Sequence, residues 1–198
     1  VEVSGMDPDR TVALMNEGVE SVVPPQDVKS RLHQKNLPET CGACHQSIVG
    51  SFVESRHYQK LKDAGIGPSC STCHVHMASQ VLYTPEETAQ MCSTCHNSPN
   101  RLMPLRPEIP QQANDVMQAI RRANTVVMWA DRLIEQAQAK KLDINDEKKE
   151  QQIARAVMAE AKTSWHAFNL EVVRRKADDA FEMSSKVKDS LRAKLYPQ

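Results

Sequence analysis

The sequence predicts a mainly α protein: a cysteine-bearing region with little regular structure, followed by a long antiparallel helical hairpin. Three observations predict it. No stretch alternates apolar and polar residues, and no Asn-Gly or Asp-Gly pair marks a β-hairpin, so no strand is expected. From about residue 111 the composition shifts to Ala, Glu, Lys, Gln and Arg, with no glycine. Within that stretch Val116, Ile120, Ala123, Val127, Ala130, Ile134 and Ala137 recur at alternating steps of four and three, which is a heptad seam.

Taken in order, residues 1–37 form a polar N-terminal segment, with a helix start at Asp7-Pro8, a break at Pro24-Pro25 and a short helical turn over 26–34. Residues 38–110 form the cysteine-bearing region. There Val49, Val53, His57 and Leu61 repeat at i+4 along one helix over 48–62, which Gly65 stops. Thr84, Pro85 and Glu87 make a capping box that starts a helix running into Cys92. Pro99, Pro104, Pro107 and Pro110 then predict a surface linker without regular structure. Residues 111–198 form the hairpin. Its first helix carries the seam, its turn is KKLDINDEKK, and Asp143 or Asn145 caps the second helix. That helix, from about 146 to 194, contains neither Gly nor Pro. Unbroken, it would span roughly 70 Å.

The bulk composition excludes several classes. Mean hydropathy is −0.54 and no apolar run is long enough to span a bilayer. Lys plus Arg equals Asp plus Glu at 25 each, so no basic field points to nucleic acid. Only two Trp, three Tyr and three Phe occur in 198 residues. A core so poor in rings is built from small helical residues or filled by something other than amino acids.

The six cysteines decide between those options. Cys41 and Cys44, Cys70 and Cys73, and Cys92 and Cys95 form three C-x-x-C pairs, each followed at once by His45, His74 or His96. A zinc site takes four ligands, and three pairs fit it poorly. A thioredoxin-like centre needs one pair in a βαβ setting, which is absent from the pattern. A disulfide framework gives no reason for histidine after every second cysteine. C-x-x-C-H is the attachment string for c-type haem, with the thiols as thioethers and the adjacent imidazole as proximal iron ligand. Three strings that consume every cysteine predict three haem c groups. Haem is attached to such strings outside the bacterial cytoplasm, so the chain is expected to be exported, periplasmic or otherwise extracytoplasmic, with its signal peptide removed. The propionates add about −6 and three ferric cores about +3, so the oxidised holoprotein is expected to be about three charges more acidic than the chain.

Four histidines remain to serve as distal ligands: His57, His166, His76 and His33, in that order of preference. His57 lies on the apolar stripe with Val53 and Leu61, where a buried imidazole needs a partner. His166 shares a flank with Leu170, Val173 and Ala177, while Trp165, Phe168 and Val172 make a second apolar flank. His76 follows His74 after one residue, too close to reach the far side of the same haem, so it would serve a neighbouring one. His33 would act from the N-terminal segment. Met77, Met91 and Met103 rank lower because histidines already outnumber the need. Surplus apolar flanks on the hairpin predict association with another subunit.

These strings and their surroundings resemble multihaem c cytochromes of the group containing hydroxylamine oxidoreductase and pentahaem nitrite reductase. CGACH leading to SRHYQ, then two CSTCH strings, then a helical region bearing SWHAFN carry the resemblance, over roughly 38–195. It implies that His57 takes the distal place after Ser-Arg and that His166 is the late histidine returning to a haem. The nitrite reductases attach their catalytic haem through C-x-x-C-K, which this chain lacks, and hydroxylamine oxidoreductase has its catalytic haem upstream of the part resembled. The expectation is therefore a trihaem electron-transfer protein with closely spaced, mostly bis-histidine haems and no catalytic residue. Its expected partners are redox proteins, including a larger multihaem oxidoreductase. The alternative is a subunit of an oxidoreductase in which one five-coordinate haem binds a small nitrogen or sulfur compound, near Arg56, Tyr58 and Tyr83.

Overall fold

The computed structural model describes residues 27–74, 84–98 and 105–197. The described residues are 77% helical and contain no strand, so the chain is mainly α. The helices are α1 (Leu37–Gly42), α2 (Gln46–Val53), α3 (Arg56–Ala64), α4 (Cys70–Cys73), α5 (Pro85–His96), α6 (Glu108–Ala139), α7 (Asn145–Ser164) and α8 (Leu170–Leu195), with a 3₁₀ turn at Trp165–Ala167.

The expected heptad seam is the spine of the molecule. All seven of its residues are buried, Ala123, Ala130 and Ala137 completely. The seam does not face one partner helix, however. The expected second long helix is broken at residues 165–169 into α7 and α8, which replaces the hairpin by three helices. Lys162 reaches Asn124 at 2.8 Å while Arg155 reaches Asp131 at 2.8 Å, so α7 runs antiparallel to α6. Glu147, at the start of α7, meets Ser190 and Lys194 near the end of α8, so α8 turns back along α7. Arg122–Asp178 and Lys140–Leu195 contacts set α8 parallel to α6. The result is an up-down-up bundle.

Two apolar clusters fill it. Val116, Ile120 and Val127 of α6 pack with Met158 of α7 and Val173, Ala177 and Ala180 of α8. Farther along, Ile134, Ile144, Val187, Leu191 and Leu195 form the second. Alanines at 113, 119, 123, 130, 137, 154, 161, 177 and 180 are all buried. Small side chains let three helix axes approach closely, which is how a chain with eight aromatic residues builds a dry core. The seam and the Val173–Ala177 flank are thus both covered within the chain and do not call for another subunit. Gln151, 1% exposed, pins the register: its amide donates to the Val127 carbonyl at 3.0 Å and accepts from the Ser184 hydroxyl at 3.1 Å. One side chain thereby ties all three helices.

The cysteine-bearing region is more regular than expected, because each string seeds a helical turn. The single helix expected over 48–62 is two, since Ser55 caps α3 by accepting from the Tyr58 amide at 3.0 Å. That break turns Val53 out to solvent and leaves Phe52 buried instead. Gly65 ends α3 in the left-handed conformation, with φ of 71°. The capping box at Thr84 and Glu87 forms as expected, and α5 runs into Cys92. Residues 27–36 make turns rather than a helix, and the Asn36 amide bridges the Val28 and Ser30 carbonyls. The proline passage ends sooner than expected, for α6 starts at Glu108 with Pro110 buried in its first turn, where a missing N–H costs nothing. Neither Asp143 nor Asn145 caps α7 as expected: Ile144 stands at the N-cap with no side-chain bond, Asn145 is the first helical residue, and Asp143 accepts the Asn145 amide at 3.4 Å from the turn before it. Asp7-Pro8 and Pro24-Pro25 lie outside the described residues.

Candidate haem-ligand histidine pairs

Each string adopts one local form. Cys41 lies in the last turn of α1, and the His45 amide donates back to the Cys41 carbonyl at 2.9 Å. Cys70–Cys73 is itself α4, capped by Ser69 and Thr72, and the His74 amide donates to Cys70 at 2.9 Å. Cys92, Cys95 and His96 form the last turn of α5. Helical C-x-x-C spacing puts both thiols of a pair on one side of the turn, with the histidine just beyond.

The strings are brought together in space. Cys41 stands close enough to Cys70 to raise its thiol, and Cys73 feels the charges of both Cys92 and Cys95. Gly67 makes one of these approaches feasible: a Cβ there would stand 2.2 Å from the His57 carbonyl oxygen, so only glycine lets the chain cross α3 on its way to Cys70. Burial, then Cys41, pushes the Cys70 thiol up to about 12; burial, then Cys92 and Cys95, pushes Cys73 up to about 11. These are protonated thiols at neutral pH, unlike the thiolate of a redox-active C-x-x-C. All six cysteines are free.

Two histidines from the strings each face a second histidine from elsewhere in the chain. His96 and His57 have ring centres 6.0 Å apart, and His74 and His166 have theirs 6.2 Å apart. The second partner comes from the 3₁₀ turn between α7 and α8, far along the chain from α4. Burial, then the neighbouring His96, pushes His57 down to about 4, and His96 and His166 are lowered first of all by burial. These three rings are neutral at pH 7, with a lone pair free to bind a metal. His166 Nδ1 lies 3.2 Å from the Thr163 carbonyl oxygen, so it donates its proton there and leaves Nε2 as the acceptor. Nδ1 of His57, His74 and His96 are buried without a hydrogen-bond partner.

This donor set bears on which group would fit. Two imidazoles sharing one iron each hold a nitrogen about 2 Å from it, with each ring centre about 1 Å farther back, so the centres stand about 6 Å apart. Both pairs have that separation. Among the described residues no three His, Cys, Asp or Glu side chains converge to hold a metal ion by themselves. Two imidazoles at that separation with no third protein ligand beside them would suit a metal that arrives with its other nitrogens already supplied, as in a porphyrin.

The other candidates fall elsewhere. His45 and Cys44 are exposed, and no ring faces His45 among the described residues. His33 is half-buried and its Nδ1 accepts the Lys35 amide at 3.3 Å. Met91 is half-buried on α5 beside Cys92, Arg56 is exposed, and Tyr58 packs edge-on to Phe52 at 5.6 Å. His76, Met77, Tyr83 and Met103 lie outside the described residues. Sequence reasoning placed Phe168 on an apolar flank but missed that its ring meets His57, that Phe52 backs it, and that the Thr163 carbonyl holds His166. The clue available was a run of aromatic residues beside His166 in a chain that has few.

No helix among the described residues is long and apolar enough to cross a membrane. No family model, curated protein or solved structure matches the chain.

Proposed function

We propose that the chain is a trihaem c-type cytochrome that passes electrons between redox partners, in the manner of the multihaem cytochromes its strings resemble. The reading is carried by one observation: two string histidines each face a second histidine across about 6 Å, the spacing of axial ligands on one iron. His96 with His57, and His74 with His166, would hold two irons, and Cys41, Cys44, Cys70, Cys73, Cys92 and Cys95 would anchor the three groups. The haem, when bound, supplies a reversible one-electron change at iron. The residues supply the rest. Burial keeps His57, His96 and His166 neutral, the Thr163 carbonyl fixes the tautomer of His166, and the Cys70–Cys41 and Cys73–Cys92 approaches hold neighbouring groups within short range. If each pair held an iron from both sides, neither paired site would leave a position open for a substrate.

On this reading the chain works in an extracytoplasmic compartment, where such strings are loaded, and its redox partners dock at the exposed string around Cys44 and His45. The same exposed string carries the second reading, in which the His45 iron keeps an open position and binds a small nitrogen or sulfur compound. Co-expression with a haem-attachment system tests the proposal. Three covalently bound haems per chain, with low-spin signals from at least two, is the expected result, and a chain that leaves the system without covalent haem overturns it. A high-spin component assigned to the His45 iron favours the second reading.

A further inference from the structure

Phe168 occupies an unusual place. It is one of two non-glycine residues with positive φ among the described residues, at 56°, a conformation that bulky side chains rarely adopt. Its amide donates to the Trp165 carbonyl at 3.0 Å and so closes the 3₁₀ turn that carries His166. Its ring lies elsewhere, standing edge-to-face with His57, centres 4.2 Å apart and planes at 84°, and 6.3 Å from buried Phe52. A ligating histidine is ordinarily held in plane by a hydrogen bond from its other ring nitrogen to a carbonyl or carboxylate. His166 has that bond, to Thr163, whereas His57 Nδ1 is buried with none. In place of a hydrogen bond, the close perpendicular contact with Phe168 restrains rotation of the His57 ring.

We infer that Phe168 is a positioning residue shared by both paired sites: its backbone sets the turn that presents His166 to His74, and its ring sets the plane of His57 against His96. This rests on the proposed function and goes beyond it, because it makes the ligand geometry of two irons depend on one residue. Backbone strain held at such a point is the kind that surrounding structure must enforce.

Two substitutions in the haem-loaded full chain separate the roles. Asn tolerates the left-handed conformation, so Phe168→Asn keeps the turn and removes the ring. A β-branched residue resists that conformation, so Phe168→Val disturbs the turn as well. Low-spin electron paramagnetic resonance signals, which respond to the angle between axial rings, are the readout, assigned by loss in His57→Met and His166→Met. Phe168→Asn is expected to move the His57–His96 signal alone, Phe168→Val to move both, and Phe168→Tyr, which keeps the ring, to move neither. An unchanged His57–His96 signal in Phe168→Asn overturns the inference, and so does an unmoved His74–His166 signal in Phe168→Val. Loss of covalent haem from a variant is read from its absorbance, and Phe168→Tyr then serves alone, with a moved signal overturning the inference. A parent chain that carries haem but loses no signal in either His→Met variant sinks the ligand assignments themselves, and the inference with them.

Discussion

His74 and His166 stand 6.2 Å apart with their ring planes only 22° from parallel, whereas His57 and His96, at 6.0 Å, are turned through 64°. The difference has an electronic meaning. An imidazole donates π density perpendicular to its own plane. Two parallel rings therefore raise the same iron d orbital and split the pair, while crossed rings raise one each and leave them nearly equal. The oxidised holoprotein is expected to show one ordinary rhombic low-spin signal, lost in His166→Met, and one more anisotropic signal, lost in His57→Met. Identical signals from the two sites would contradict the ring geometry.

The same two sites should differ in potential. A hydrogen bond from the far ring nitrogen to a carbonyl raises imidazole basicity and favours ferric iron. His166 makes that bond to Thr163 at 3.2 Å, and neither ring of the other pair makes one. The His74–His166 site is therefore expected to have the lower potential of the two. Replacing either distal histidine by methionine should raise one transition and leave the others in place. A redox titration of both variants decides it, and the reverse order would remove the role given to Thr163.

Gln151 is buried among three helices, and its removal should be felt by all of them. Gln151→Leu leaves the buried Ser184 hydroxyl without its acceptor, and takes from the Val127 carbonyl and from Asp131 a donor that each has in addition to others. A loss of about 1–3 kcal/mol is expected for an orphaned buried group of this kind. Thermal unfolding followed by helix content measures it, and an unchanged midpoint would mean that water replaces the amide.

Acid should loosen the far end of the bundle. Burial by itself would raise the Glu147 carboxyl, but hydrogen bonds from Lys194 and Ser190 outweigh it and hold the group below its ordinary 4.5. A carboxyl lowered by folding stabilises the native state above its ordinary value, and that contribution is lost as pH falls from about 4.5 through the lowered value. Glu147→Gln should therefore be less stable than the parent at pH 6, and the gap should shrink as pH drops below 4.5. Equal pH dependence in the two chains would assign the acid response to other carboxylates.

A chain made without haem is expected to keep α6, α7 and α8 and lose order before them. Both apolar clusters lie within 113–195, while among the described residues of 37–96 the buried apolar side chains, two prolines aside, are Phe52 and Leu61. Bound groups would have to complete that region's core, as metals do in small metallodomains. Limited proteolysis should cut within 37–96 and spare the bundle, and a protease-resistant haem-free 37–96 segment would run against this.

The periodic parts of this fold were legible, and the interruptions were not. The seam from Val116 to Ala137 is visible because burial on one face leaves a 3.5-residue rhythm, and the Thr84–Glu87 box because its chemistry is local. The break at 165–169 has no Gly or Pro to announce it. It is made by Asn169, whose side chain accepts the Val172 amide at 3.3 Å, and by Phe168 in a conformation usually left to glycine. Ser55 was equally quiet, one serine between two stretches that share a period. His57 and His166 stood out by residue type and apolar company. Which string histidine each would face was beyond reach, since those pairings are made by tertiary packing.

The pairings also change how the chain can be divided. The prolines before α6 look like a seam along which a cysteine-bearing half might be cut from a helical half. Yet the contact between His74 and His166 spans that point, and the stretch it encloses overlaps the one enclosed by His57 and His96. Two overlapping spans cannot both be kept by any single cut between residues 74 and 96, and a cut at the prolines severs the longer one. The bundle is thus no detachable handle: shortening it by its last helix and elbow would leave the middle string facing solvent where a ring should be.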